Sequence, residues 1–237
     1  MVSVAIIARD AGLLLDRCIS SVKNLSDDIV VIIDDRATDN TKSIALKNKA
    51  RVFVRKFDNF ASQKNYAVSQ TKHPWVLSLD ADEWPEDRLI KEIGDIKDWE
   101  YGGFLIKRKN IIFGRVMKFT NWEPEADKHI WLYNQKVGKW IGDVHEEVVV
   151  SGQIGELMYC KMHENYISVE QFISKMNDYT NREEKALNPF FDFLRRYIWH
   201  LGFLDGWHGL FLSYLMFIYH LVVWVKLWNS NQLSQSG

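Results

Sequence analysis

The chain has 237 residues, 47% hydrophobic and 26% charged, with a formal net charge of −1. That length suits one domain with an appendage, and the composition excludes a disordered chain, a collagen and a small disulfide scaffold. The near-neutral balance leaves no electrostatic footprint for nucleic acid. Cys18 and Cys160 point to a reducing compartment without structural disulfides, each acting as a small buried apolar residue. Met1 to Ile7 runs into Arg9-Asp10 without a basic leader, so no secretory signal peptide is expected there.

Residues 2–8 (VSVAIIA) are a short, apolar, β-branched run, which reads as a buried strand. Leu13, Leu14, Leu15, Cys18, Ile19, Val22 and Leu25 recur at helical spacing. Ile29 to Ile33 is a second buried strand ending in Asp34-Asp35, and Thr38 or Asp39 can cap a helix over about 40–49. Residues 52–54 give a third strand, about 60–71 a helix, and 75–79 a fourth strand ending in Asp80. Pro85 suits the first turn of a helix over about 86–97. This β-α alternation predicts an α/β fold, a mixed, Rossmann-like sheet with helices on both faces. Ligands in such sheets bind beyond the carboxyl ends of the strands, where Asp34, Asp35, Asp80 and Asp82 fall.

After residue 100 the rhythm changes. Segments 101–113, 129–134 and 144–150 read as strands, 114–128 as a loop of the length often used at a site, and 168–187 as helix. The last part is aromatic and apolar, and Gly206 to Val225 carries no Asp, Glu, Lys or Arg. As a helix that run would be about 30 Å long, the thickness of a hydrocarbon core. Trp207 stands at one end and Trp224 and Trp228 at the other, as in interfacial aromatic belts. The readings are a spanning helix, a monotopic helix in the interface, or a buried core or dimer helix. The expected division is a catalytic domain over 1–165 and a helical region over 166–237.

No GxGxxG follows the first strand, and no GxxxxGK[ST] is present, so dinucleotide and P-loop readings lose support. Carboxylates crowd two strand ends instead: Asp34-Asp35 with Asp39, and Asp80-Ala81-Asp82-Glu83. Such clusters are sustained by a cation, water or basic partners, and Mg²⁺ or Mn²⁺ with substrate phosphates fits the oxygen-rich set. A polar turn capping the next helix is the plainer alternative.

In order and spacing, Ile29-Val30-Val31-Ile32-Ile33-Asp34-Asp35-Arg36-Ala37-Thr38-Asp39-Asn40-Thr41, Gln63-Lys64-Asn65-Tyr66-Ala67 and Trp75 to Glu83 resemble glycosyltransferase family 2 with its GT-A nucleotide-sugar domain. Val144-His145-Glu146 and the aromatic C-terminal segment with Gly202-Phe203-Leu204-Asp205-Gly206 resemble the bacterial branch that builds lipopolysaccharide core. The resemblance spans about residues 2–228. It implies that Ala8 and Arg9 line the nucleotide pocket, Asp34 accepts a hydrogen bond from the base, and Lys64 faces the base or phosphates. It also implies that Asp80 sits near ribose and metal, that Asp82 binds a divalent metal (Mg or Mn), and that His163 completes that metal site. Glu146 is then the catalytic base, because His-Glu selects it over Glu147, and His145 orients it or binds the acceptor. The implied reaction is inverting transfer of a hexose or heptose from a nucleotide-sugar donor to a lipid-linked or lipopolysaccharide glycan acceptor. It would occur at the membrane surface, on the cytoplasmic face of the inner membrane. Two departures stand out: Ala11 where the family has Glu, and Trp131 where it commonly has Arg. The basic contact would then be lost, or supplied by Lys128 or His129. The alternatives are a nucleotidyltransferase, or a catalytically decayed membrane-associated binding or scaffold protein.

Overall fold

The computed structural model describes residues 1–97, 100–142, 146–181, 183 and 185–235. The chain divides into two compact units, Met1–Arg108 with Asp127–His163, and Lys109–Ala126 with Glu164–Gly237. The stretch 109–126 therefore packs with the C-terminal residues rather than with its chain neighbours.

In the first unit β1 (Val2–Ala8), β2 (Ile29–Asp34), β3 (Arg51–Arg55) and β4 (Trp75–Asp80) run parallel in the order β3-β2-β1-β4. Crossover helices α1 (Gly12–Val22), α2 (Thr41–Lys47) and α3 (Phe60–Ser69) connect them. The strands are near-continuous apolar runs because both sheet faces are covered; Val4, Ile6, Val30, Ile32, Val76 and Leu77 are fully or almost fully buried. Each such side chain contributes about 1.5–3 kcal/mol of burial. Beyond β4 the sheet continues through β8 (Lys128–Asn134), antiparallel to β4, and β6 (Gly103–Ile112), antiparallel to β8, to β11 (Ile154–Tyr166). The three-residue β5 (Glu83–Pro85) lies antiparallel against β11. β9 (Gly138–Ile141) and β10 (Glu147–Val150) form a separate antiparallel ribbon.

The first four strands match the apolar runs in the sequence closely. Two helix expectations are corrected, one strand is met in part, and one strand is unmarked in the sequence. Pro85 ends β5 rather than opening a helix, and α4 covers only Asp87–Gly94. The strand expected over 144–150 is described only as β10, and 143–145 lie outside the described residues. The sequence pattern gives no sign of β11. Its Cys160 and Lys161 are adjacent and both buried, which breaks the in–out alternation of a strand. The helix expected over 168–187 ends sooner: α5 is Val169–Thr180, and Asn188 with Pro189 starts the next helix, its side-chain oxygen accepting from the Phe191 N–H.

The second unit holds β7 (Arg115–Val116), which pairs with the end of β6, together with α5, α6 (Pro189–Leu194), a π-helical turn (Arg195–Trp199), a 3₁₀ turn (Gly202–Asp205) and α7 (Trp207–Gln235). Ile112, Met117, Tyr166, Phe172 and Leu212 form its core. Buried Asp205 accepts hydrogen bonds from the Lys118 and Phe119 N–H groups and the Thr120 hydroxyl, which ties the 114–126 stretch to the start of α7. Gly209 lets α7 approach the 3₁₀ turn, since a Cβ there would lie 1.9 Å from the Gly202 carbonyl oxygen.

Candidate active site

Ile7 stands opposite Asp80 and Ala8 opposite Ile33, so the carboxyl ends of β1, β2 and β4 bring Ala8, Asp34 and Asp80 to one end of the sheet. Ala8 is buried, whereas the Arg9 side chain is half exposed. Asp10 follows in the left-handed region (φ 46°), a conformation costly for a residue with a Cβ. Its carboxylate takes the Thr38 N–H at 2.7 Å and the Asp39 N–H at 3.3 Å, which holds the turn. The Ala11 N–H donates to Thr41 Oγ1, and the Gly12 N–H to Asp39 Oδ2. Asp39 thus helps to satisfy the open end of α1, while also accepting from the Thr41 N–H.

Asp34 is engaged from within the protein. Arg36 meets it as a fork, Nε to Oδ1 at 2.9 Å and a terminal nitrogen to Oδ2 at 2.6 Å, and the Arg36 N–H adds a third bond. The Arg36 side-chain hydrogen bonds hold the Asp34 carboxyl at about 2. Arg36 is a site residue that the sequence reading passes over, although it stands two positions after Asp34.

Lys64 lies on α3. It is buried, with Nζ 3.0 Å from Glu146 Oε1 and 3.1 Å from Asp80 Oδ1. It also sits 4.4 Å from the Trp140 ring centroid. Burial opposes its charge, but Asp80 and then Glu146 outweigh burial, so the ammonium is held above the usual lysine value. Next to it, Asn65 grips the backbone of Trp140 at two points, donating to its carbonyl at 2.9 Å and accepting from its N–H at 3.1 Å. Successive residues of α3 therefore fix β9 and hold the Glu146 carboxylate against the end of β4.

Across the acidic turn, Asp82 Oδ2 lies 3.5 Å from His163 Nε2. Ladder register sets this pair, because His163 stands directly opposite Glu83 in the β11–β5 pairing. Glu83 is fully buried under the turn. Its Oε2 accepts from the Asp80 N–H at 3.0 Å and from Lys161 Nζ at 2.5 Å, and its Oε1 lies 3.4 Å from Arg108. Arg108 also donates to Asp127 at 2.8 Å. Burial alone would favour a protonated Glu83; Lys161, then His163 and Arg108, reverse that and hold the carboxyl well below its ordinary value. Burial draws Lys161 downward against the pull of Glu83.

Trp131, where an arginine was expected, carries Lys161 over its ring at 3.1 Å and Arg108 at 5.5 Å. Lys64 also lies over the ring, at 5.8 Å, so three basic side chains surround it. Of the expected substitutes, His129 stands edge-on to the Trp131 ring at 5.7 Å and 3.4 Å from Asp127, whereas Lys128 pairs with Glu156. Neither Lys161 nor Arg108 is marked by the sequence: β11 is not recognisable there, and Arg108, on β6, meets Glu83 from 25 positions away. His145 lies outside the described residues. Cys18 and Cys160 are both buried and are not joined in a disulfide.

Among the described residues no three His, Cys, Asp or Glu side chains converge as a ready metal cage. Asp80, Asp82 and His163 nevertheless suit a divalent cation. Asp80 Oδ1 is buried and accepts no hydrogen bond of good geometry, Asp82 and His163 already stand together, and two carboxylates with an imidazole are a donor set such ions accept.

The chain matches the model for glycosyl transferase family 2 over residues 3–137. An uncharacterised glycosyltransferase of Rickettsia conorii is 30% identical over 202 residues, covering 78% of this chain and 70% of the relative. The lipopolysaccharide core biosynthesis glycosyltransferase LpsC of Rhizobium meliloti is 24% identical over 189 residues, covering 75% and 68%. Among solved structures, the mannosyltransferase PcManGT of Pyrobaculum calidifontis, in complex with GDP-Man and Mn²⁺, superposes with a TM-score of 0.57 at 12% identity, covering 95% of this chain and 86% of that one. At that identity the likeness is one of fold, and the fold is that of the GT-A sugar transferases. The chain belongs to glycosyltransferase family 2.

Proposed function

We propose that this glycosyltransferase is an inverting, metal-dependent enzyme that moves a hexose or heptose from a nucleotide sugar to a hydroxyl of a lipid-linked or lipopolysaccharide-core glycan. It would work at the cytoplasmic face of the inner membrane. The observation that carries the reading is the junction at Lys64, which joins the carboxylate at the end of β4 to Glu146 through one buried ammonium. LpsC, named for lipopolysaccharide core synthesis, supports the acceptor class.

Glu146 is the base of this scheme. Lys64 engages Oε1, and Oε2 takes the proton of the acceptor hydroxyl as that oxygen bonds to the anomeric carbon. The bond from that carbon to the nucleoside diphosphate breaks on the opposite face, so the configuration inverts. Lys64, 3.0 Å from Oε1, holds the Glu146 carboxylate in place before the proton arrives. His145 orients the base or binds the acceptor in this reading. Ala8, Arg9 and Asp34 hold the nucleoside, and Asp80 approaches the ribose. With both Asp34 oxygens engaged by Arg36, base recognition draws on this fork as a unit. Asp80, Asp82 and His163 would hold the divalent cation, which when bound stabilises charge on the departing diphosphate.

The test is donor hydrolysis by the purified chain, with UDP-, GDP- and ADP-sugars, in Mn²⁺ or Mg²⁺ and then in EDTA. Release of one nucleoside diphosphate that needs the metal and is lost in Asp82→Ala is expected. Absence of both binding and release across the panel would overturn the reading.

A further inference from the structure

We infer that the outward stripe of α7 is a lipid-facing surface by which the chain lies flat on an anionic bilayer, rather than crossing it. The inference rests on the reading of a membrane-borne acceptor for its purpose, but its geometry stands apart from the transfer chemistry.

The charge-free run of α7 is long enough to span, so length does not decide the matter. The two faces of the helix do. On one side lie Trp207, Phe211, Tyr214, Leu221, Trp224, Val225 and Trp228, at spacings of three, four and seven, and all are exposed; Trp207 is 71% and Trp224 61% accessible. Aromatic residues along one face, rather than girdles around both ends, mark a helix lying in the interface.

The opposite side is buried and polar at intervals. Ser213 is fully buried. His220 Nε2 lies 3.4 Å from Asp192, which also holds Arg195 at 2.7 Å and Arg196 at 2.6 Å. The Tyr219 hydroxyl donates to Glu183 at 2.7 Å. Lys226 Nζ reaches the end of α5, donating to Thr180 Oγ1, Asn181 Oδ1 and both oxygens of Asn177 at 2.7–3.2 Å, a cation at a helix carboxyl end. A spanning α7 would have to leave these partners or take them into hydrocarbon, where charge is expelled. A flat α7 keeps every one of them.

Charge selects the occupant. Between residues 186 and 225 the carboxylates are Asp192 and Asp205, both buried and paired. The start of α7 is flanked by the exposed cations Arg115, whose guanidinium lies 3.7 Å from the place of a Cβ at Gly206, and Lys118, whose N–H donates to Asp205. A second copy would bring the same cations to the same apolar face. A phosphate headgroup complements them.

The test is flotation of the full chain, without donor or acceptor, with vesicles of phosphatidylcholine alone or of equal parts phosphatidylcholine and phosphatidylglycerol. The chain is expected to float with the anionic vesicles and to dissociate partly in high salt. The triple variant F211S/W224S/W228S should partition at least about tenfold less, and R115E/K118E should lose the anionic preference. Added protease should reach cleavage sites placed at both ends of α7. Unchanged flotation of the triple variant, or one end protected inside the vesicle, overturns the inference. So does vesicle-free self-association that the triple variant abolishes, since that makes a second copy the occupant. Should the triple variant fail to fold by circular dichroism, the charge-reversal pair and the protease pattern decide. Flotation without sugar transfer would sink the transfer reading alone.

Discussion

Replacing Lys64 by methionine tests the junction on which the site is built. Methionine keeps an unbranched chain of similar length beside Trp140 and removes only the charge. Two carboxylate oxygens that lie within 3.1 Å of one ammonium would then face each other without it. At an effective dielectric of about 20, each contact is worth several kcal/mol in gross terms, most of it cancelled by the desolvation of the lysine. Removing one partner of a fully buried pair costs about 3–5 kcal/mol. Here Asp80 and Glu146 are 31% and 18% exposed and can recover some water, so the expected loss is about 2–4 kcal/mol. For a chain of this size that lowers the melting midpoint by roughly 5–12 °C. Loss of position at Glu146 should reduce turnover by about 10²-fold, with smaller change in donor affinity measured by calorimetry. Lys64→Arg, which restores the charge, should recover much of the stability. A Lys64→Met protein that melts within about 1 °C of the parent and turns over within twofold would refute the junction.

Other consequences can be checked separately. Glu83→Gln leaves Lys161 without its buried counter-charge, while Arg108 keeps Asp127, and should cost about 3–5 kcal/mol in urea unfolding; a variant as stable as the parent would contradict the burial of that network. Asp34 titrates at about 2 because Arg36 grips it. Its carboxyl is depressed in the folded state, so its contribution to stability is complete above the unfolded value and fades as pH falls through about 2. In Arg36→Gln the Asp34 resonance, followed by NMR, should titrate nearer the ordinary carboxylate range, and an unmoved titration would remove the arginine as the cause. Gly209→Ala drives a Cβ toward the Gly202 carbonyl and should destabilise by about 1–3 kcal/mol or more; an unchanged melting curve would refute that close approach.

The parallel half of the sheet was legible in the sequence because buried strands such as Val2–Ala8 are unbroken apolar runs, and because helices between them keep a 3.6-residue period. β11 was not legible. Lys161 reads as a surface residue until its partner Glu83, 78 positions away, is placed beside it, and no local pattern carries that distance. The same holds for Lys64. Its residue type and its place on a helix suggest a solvated or phosphate-facing charge, whereas the fold encloses it between carboxylates from β4 and from the start of β10. Strand ends and acidic turns are local features and appear in the sequence. Arg36 answers Asp34 from two positions away, but Lys64, Arg108 and Lys161, which answer the Asp80 to Glu83 turn, arrive from afar and do not appear there.

The rung that places His163 opposite Glu83 has a consequence for how chain length can change over evolutionary time. A strand has a repeat of two residues, so a deletion or insertion of one residue between Cys160 and His163 would exchange the faces of everything beyond it. The histidine would leave Asp82, and a change placed before Lys161 would also turn that lysine away from Glu83. Length changes in the turn before β11, around Gly152, meet no such constraint, because they occur before the ladder begins. A library of single-codon insertions and deletions across residues 150–166 should therefore divide sharply, with tolerated changes confined to the turn and none surviving beside the acidic motif.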